Sequence, residues 1–305
     1  MLDFGCRLEL VPDWLKVPDS VKLGFTHGIA FDSLDRAFVF NMSEHAIAIF
    51  DRDGHFLKSW GSSFAKGAHG LHLRMEEDGK EYVYLTDIAR HLVAKYTLDG
   101  EEALTIGAPP VPSLYGSPEQ YKPTDIDVAP NGDIYVVDGY GEYALHRFDR
   151  EGNWLQCWGG KSGAEPVFYE PHGLFIDTRA VEPLLYVADR RHRRFVSFRL
   201  DGTPVEAIGG DFLLPCDLTA LGEHGFVLPD LNGRITVVDG RFENAVHAGQ
   251  NPSIWEDPRW PDIPPEEWLP DRFISPHGLC VHDGHIYVAE WVPQGRVTKW
   301  KIVTP

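Results

Sequence analysis

The chain has 305 residues, 43% of them hydrophobic, including nine tryptophans and seventeen phenylalanines, enough to fill a large core. A formal net charge of −18 excludes nucleic acid and anionic membrane surfaces as natural partners. No apolar run is long enough to span a membrane, Met1-Leu-Asp-Phe-Gly5 lacks signal-peptide features, and Cys6, Cys157, Cys216 and Cys280 show no disulfide or C-x-x-C spacing, so a reducing, cytoplasmic location is expected.

In chain order the elements repeat one plan. Cys6-Arg-Leu-Glu-Leu-Val11 is a strand with no neighbour to form a hairpin. A full unit follows: strands His27–Asp32, Ala37–Asn41 and Ala46–Phe50, the turn Asp51-Arg-Asp-Gly54, then strand His55–Gly61. Apolar and polar residues alternate between Gly/Asp turns, the pattern of half-buried antiparallel strands. Asp133–Asp138, Leu185–Asp189 and His285–Glu290 are later second strands, and Gly152–Gly159 and Gly202–Gly209 later fourth strands. One segment, from about Gln250 to Phe273, breaks the plan. It carries Pro252, Pro258, Pro261, Pro264, Pro265 and Pro270 with Trp255, Trp260 and Trp268, and reads as a packed rim or lid. The final copy has three strands, ending at Val297–Val303.

A short phrase opens each copy: Thr26-His27-Gly28, Ala68-His69-Gly70, Pro123-Thr124-Asp125, Pro171-His172-Gly173, Pro215-Cys216-Asp217 and Pro276-His277-Gly278. The central residues are separated by 42, 55, 48, 44 and 61 positions. An all-strand repeat of this length predicts an all-β, six-bladed β-propeller forming a single domain over residues 1–305. The N-terminal strand is expected to pair into the last blade and close the ring.

Equivalent repeats place the central residues around one axis. His69, His172 and His277 belong to blades two, four and six, about 120° apart in a six-fold ring. Three converging imidazoles with an open fourth position form the donor set of a catalytic metal, zinc in the first instance. Each histidine could instead simply begin a strand at a solvated turn. His27, in the same slot of blade one, is left unassigned: a fourth ligand, a donor behind the ligands, or a packed histidine.

At these residues the chain resembles the peptidylglycine alpha-hydroxyglycine alpha-amidating lyase family, a branch of the NHL-repeat propellers. The resemblance runs through His69-Gly-Leu and Leu85-Thr-Asp-Ile-Ala-Arg-His91, then Pro123-Thr-Asp-Ile-Asp-Val128 with Val137-Asp-Gly-Tyr140. It continues through Pro171-His-Gly-Leu174 with Val187-Ala-Asp-Arg190 and ends at Pro276-His-Gly-Leu279. It implies zinc on His69, His172 and His277, Tyr140 as general base, and Arg190 facing the site. Tyrosine ordinarily titrates near pH ~10, so a basic role calls for a cationic neighbour. Alternatively, Tyr140 is an aromatic turn residue and Arg190 part of the basic run Arg190–Arg194. Two positions depart from the family. Met42 stands where it carries an arginine, and Gly278 where it carries an acid used for structural calcium.

The expected function is a zinc-dependent lyase or hydro-lyase acting on a small hydroxylated substrate. The alternatives are a metal-dependent hydrolase or lactonase, and a non-catalytic scaffold that binds through the aromatic segment around Trp255 and Trp260.

Overall fold

The computed structural model of the protein describes residues 7–162, 165–223 and 225–303. Among the described residues there is no α-helix; twenty-four strands form six four-stranded antiparallel sheets, the blades of a six-bladed propeller. The chain divides into two compact units, residues 66–209 and residues 1–65 with 210–305.

The first unit holds three blades. Blade two comprises Ala68–Met75, Glu81–Asp87, Leu92–Thr97 and Glu102–Ile106. Blade three comprises Asp125–Val128, Ile134–Val137, Ala144–Phe148 and Trp154–Gly159. Blade four comprises Pro171–Asp177, Leu184–Asp189, Arg194–Arg199 and Pro204–Gly209. The two inner strands of each sheet are covered on both faces and so are β-branched and aromatic. Ile134–Val137 is buried throughout, while Pro204–Gly209, an outer strand, is almost wholly exposed. Facing blades share cores: Tyr84, Val93 and Ile106 of blade two pack on Ile126, Val136 and Phe148 of blade three.

The second unit holds blades five, six and one. Blade one runs through Thr26–Phe31, Ala37–Asn41, Ile47–Phe50 and Phe56–Trp60. Blade five opens with a strand of only three residues, Thr219–Leu221, because Pro215 contributes just an isolated bridge to Asp230. Blade six takes Pro276–His282, His285–Glu290 and Arg296–Val303 from the end of the chain, and Arg7–Val11 from its beginning. The register runs from Arg7 opposite Val303 to Val11 opposite Lys299. Cys6, expected in this strand, lies outside the described residues.

In blades one to four the third and fourth strands are joined by a turn ending in Gly54, Gly100, Gly152 or Gly202, with φ between 81° and 91°. Only glycine adopts this left-handed backbone without strain. The segment 250–273 packs rather than loops out. Ile263 is buried with Ile274 and Val292, against Ile254, Trp260 and Trp268. The Trp260 indole donates to the Ile274 carbonyl at 3.0 Å and that of Trp268 to the Ile263 carbonyl at 2.8 Å, while Trp255 is 43% exposed.

Candidate functional site

Four blade-opening slots carry histidine, and in all four the first strand slips register against the second at that point. The slips fall between Thr26 and Gly28, Ala68 and Leu71, Pro171 and Leu174, and Pro276 and Gly278. A bulge frees one residue from the ladder and re-aims its side chain. The slots of blades three and five carry Thr124 and Cys216, and their named strands begin later, at Asp125 and Thr219.

In the unit 66–209, His69 and His172 are each only 2% exposed, with rings 4.8 Å apart. His69 Nδ1 lies 2.6 Å from the carbonyl oxygen of Thr124, the slot residue of the next blade. A carbonyl only accepts, so Nδ1 carries the proton and Nε2 presents its lone pair. That lone pair faces the Tyr140 hydroxyl at 3.2 Å, and His172 Nε2 lies 3.0 Å from the same oxygen. Tyr140 stands at the end of the turn Asp138-Gly-Tyr. A Cβ on Gly139 would come within 1.9 Å of the Pro171 carbonyl oxygen and 2.4 Å of Thr124 Oγ1, so the turn closes this far only with glycine there.

Arg190 completes the group. The sequence leaves it at the head of a basic run; the structure separates it, 4% exposed, from exposed Arg191 and Arg193. Its guanidinium lies 5.6 Å from the centre of the Tyr140 ring, with Nη2 3.4 Å from the hydroxyl. Glu170 pairs with both Arg190 and Arg191. Burial alone would raise its carboxyl, but the two guanidiniums outweigh that and hold it below the ordinary carboxylate range. Glu170 stands at φ 60°, a left-handed backbone costing a non-glycine residue about 1 kcal/mol or more. Sequence reasoning missed Glu170; its position directly before a slot proline was the one available signal.

The other unit holds the remaining two histidines. The rings of His27 and His277 are 4.5 Å apart, and His277 Nδ1 lies 3.0 Å from the His27 carbonyl oxygen, repeating the His69 arrangement. A Cβ on Gly278 would fall 2.2 Å from that carbonyl oxygen, which explains why glycine, and not an acid, follows His277. The aspartates after the two other slots were also missed. Asp125 accepts the Leu174 amide at 2.8 Å and Asp217 that of Leu279 at 3.5 Å, each reaching into the next blade.

No protein-family profile matches the chain. Over 280 residues it is 29% identical to peptidyl-alpha-hydroxyglycine alpha-amidating lyase 1 of Drosophila melanogaster, a match covering 83% of this chain and 48% of that protein. The chain resembles the amidating lyases. Human NHL repeat-containing protein 3 is 28% identical over 198 residues, 62% of this chain and 55% of that one. Rat peptidylglycine alpha-amidating monooxygenase is 28% identical over 226 residues, 69% of this chain and 22% of that one. The matches thus span about half the length of the fly and human relatives.

Among solved structures, virginiamycin B lyase from Staphylococcus aureus superposes with a TM-score of 0.62 at 12% identity, covering 98% of this chain and 100% of that one. A gluconolactonase from Xanthomonas campestris gives 0.65 at 13% identity, covering 92% and 87%. At such identities these establish the propeller fold alone. Of the five positions the amidating-lyase resemblance singles out, His69, His172, Tyr140 and Arg190 lie together in one unit. His277 lies in the other, beside His27.

Proposed function

We propose that this propeller acts as a single domain, in the cytoplasm, as a metal-dependent lyase or hydro-lyase on a small hydroxylated substrate. The observation that carries the reading is the Tyr140 hydroxyl, within hydrogen-bond distance of His69 Nε2 and His172 Nε2 and beside the Arg190 guanidinium.

The donor set fits a divalent metal such as zinc. His69 and His277 each spend Nδ1 on a backbone carbonyl, the arrangement that fixes the tautomer of a metal-binding histidine and leaves Nε2 to the ion. His69, His172 and His277 are the ligands of this proposal. His27, in the same slot of blade one, is left outside the ligand set. A bound metal would polarise the substrate oxygen and ease loss of its proton.

The chain's own groups supply the rest. Tyr140, as tyrosinate, takes the proton of the substrate hydroxyl, and Arg190 stabilises the negative charge on the phenolic oxygen beforehand. The oxygen's freed electron pair forms a carbonyl, the bond from that carbon to its heteroatom breaks, and the departing heteroatom takes the proton from Tyr140.

Elemental analysis of protein purified without added metal, paired with turnover of N-acyl hydroxyglycines, tests the reading. One transition-metal ion per chain is expected, with His172→Ala losing most of it and at least about a hundredfold of activity. Metal-free protein, or full metal content in the His172 variant and loss in His27→Ala, would overturn the ligand assignment. Absence of turnover in metal-replete protein would count against this substrate class.

A second reading has one observation in its favour. Trp255 and Leu269, 43% and 57% exposed, give the segment 250–273 an apolar surface on which a partner could dock. Binding that survives loss of every slot histidine would favour it.

A further inference from the structure

Each second strand ends in, or in blade three is followed directly by, a polar residue from which water is fully excluded: Asn41, Asp87, Asp138, Asp189, Asp230 and Glu290. These residues tie the chain entering a blade to the turn leaving its second strand. Asp189 accepts the Tyr169 amide, Asp230 the amides of Leu213 and Leu214, and Glu290 that of Ile274. A buried carboxylate needs a partner for its charge, and four of the five have an arginine. Arg90 serves Asp87 at 2.6 Å, Arg194 serves Asp189 at 2.7 Å, Arg234 serves Asp230 at 3.0 Å and Arg296 serves Glu290 at 3.1 Å. In blades four to six that arginine is the first residue of the third strand. Asn41 is neutral and needs none.

Blade three breaks the rule, and blade three carries Tyr140. Its third strand begins with Ala144, and among the described residues no cationic side chain pairs with Asp138. In place of a guanidinium, the Tyr115 hydroxyl donates to Asp138 at 2.7 Å, and His146 Nε2 lies 2.7 Å behind that hydroxyl. Burial pushes the His146 imidazole down to about 3, so it is neutral, and its Nε2–H donates to the tyrosine oxygen. Asp138 in turn accepts the Lys122 amide at 2.7 Å and the Glu142 amide at 2.6 Å. The carboxylate therefore clamps the segment entering the blade to the turn 138–142, and Tyr140 lies inside that turn. A neutral donor pair achieves this without a further cation beside the turn.

We propose that Tyr115, backed by His146, is a positioning residue for Tyr140, acting through Asp138 to keep the Tyr140 hydroxyl against His69 and His172. The catalytic half of this proposal rests on the lyase reading; the positional half does not. Both are tested on full-length protein labelled with 3-fluorotyrosine, the residue-140 resonance being assigned by its loss in Tyr140→Phe.

In Tyr115→Phe that resonance is expected to shift or broaden. Turnover of an N-acyl hydroxyglycine should fall about tenfold in kcat, with KM within about twofold and metal content unchanged. Tyr96→Phe, which removes a tyrosine–carboxylate bond to Glu102 on the far side of blade two, should leave both signals alone. A residue-140 resonance unmoved in Tyr115→Phe would overturn the proposal whatever the activity, and wild-type kcat would overturn its catalytic half. Should native protein turn over no hydroxyglycine, the lyase reading falls and the fluorine signal alone decides. If Tyr115→Phe does not fold, His146→Leu keeps the Tyr115–Asp138 bond, removes the donor behind it, and is read the same way.

Discussion

Histidines in this chain take opposite fates according to what surrounds them. His69 and His277 each spend one ring nitrogen on a carbonyl, which in the proposed metal site turns the other towards the ion. His146, fully enclosed, is held neutral by burial, titrating only near 3. Unfolded chain takes a proton at this position below about pH 6.5, whereas folded chain does not. The contribution of His146 to stability is therefore whole above that pH and is lost as the pH falls towards 3. Denaturant titrations from pH 7 to 4 should show wild-type stability declining by up to about 1.4 kcal/mol per unit more than in His146→Leu. Equal slopes would mean that His146 takes up its proton in the folded state. Not every such fate was readable from sequence. The register of the slot histidines was plain, but the burial that parts Arg190 from Arg191 depends on a single turn of 3-10 helix, Arg190–His192. Glu170 was invisible because its role comes from a left-handed backbone that spacing does not reveal.

Strands and turns were the most legible level. Second strands written as Ile-Tyr-Val-Val or Ile-Tyr-Val-Ala, between Gly/Asp turns, could be nothing but inner strands, and they are buried throughout or nearly so. What the alternation could not reveal was the bulge at each histidine slot, since a slip of the ladder depends on the partner strand and leaves the pattern of either strand unchanged. Nor did it show that blade five opens on a three-residue strand. The strand Cys6–Val11 was expected in the last blade by elimination, and its described part, Arg7–Val11, supplies that blade's outer edge along five residue pairs. Removing residues 1–11 should expose the strand Arg296–Val303 as an open edge. A lower Tm and concentration-dependent association in light scattering are expected; an unchanged Tm would mean that the strand is dispensable for blade six.

Across the whole molecule, the charge of −18 acts as a general self-repulsion that no single pair relieves. The four blade-end arginines serve local carboxylates, and their charges are already counted within that total. Raising the salt from 0.01 M to 0.15 M shortens the screening length from about 30 Å to about 8 Å, so the Tm should rise over that range. A falling Tm would show that local ion pairs outweigh the repulsion. The propeller was legible at this scale because the repeat is written six times. The chemistry was less so, because it depends on where the repeats differ: Thr124 and Cys216 among histidines, and Ala144 where blades four to six carry arginine.

The pairing of Arg7–Val11 with Arg296–Val303 also bears on how the protein is made. Strand Arg7–Val11 is made long before strand Arg296–Val303, and has to wait for it before its backbone finds a partner. In the interval the nascent chain carries an unsatisfied β segment, in danger of joining another chain, while the blades between the two strands assemble. Closure of blade six is then a late event joining segments far apart in sequence, and it is the step at which a cellular chaperone has most to protect.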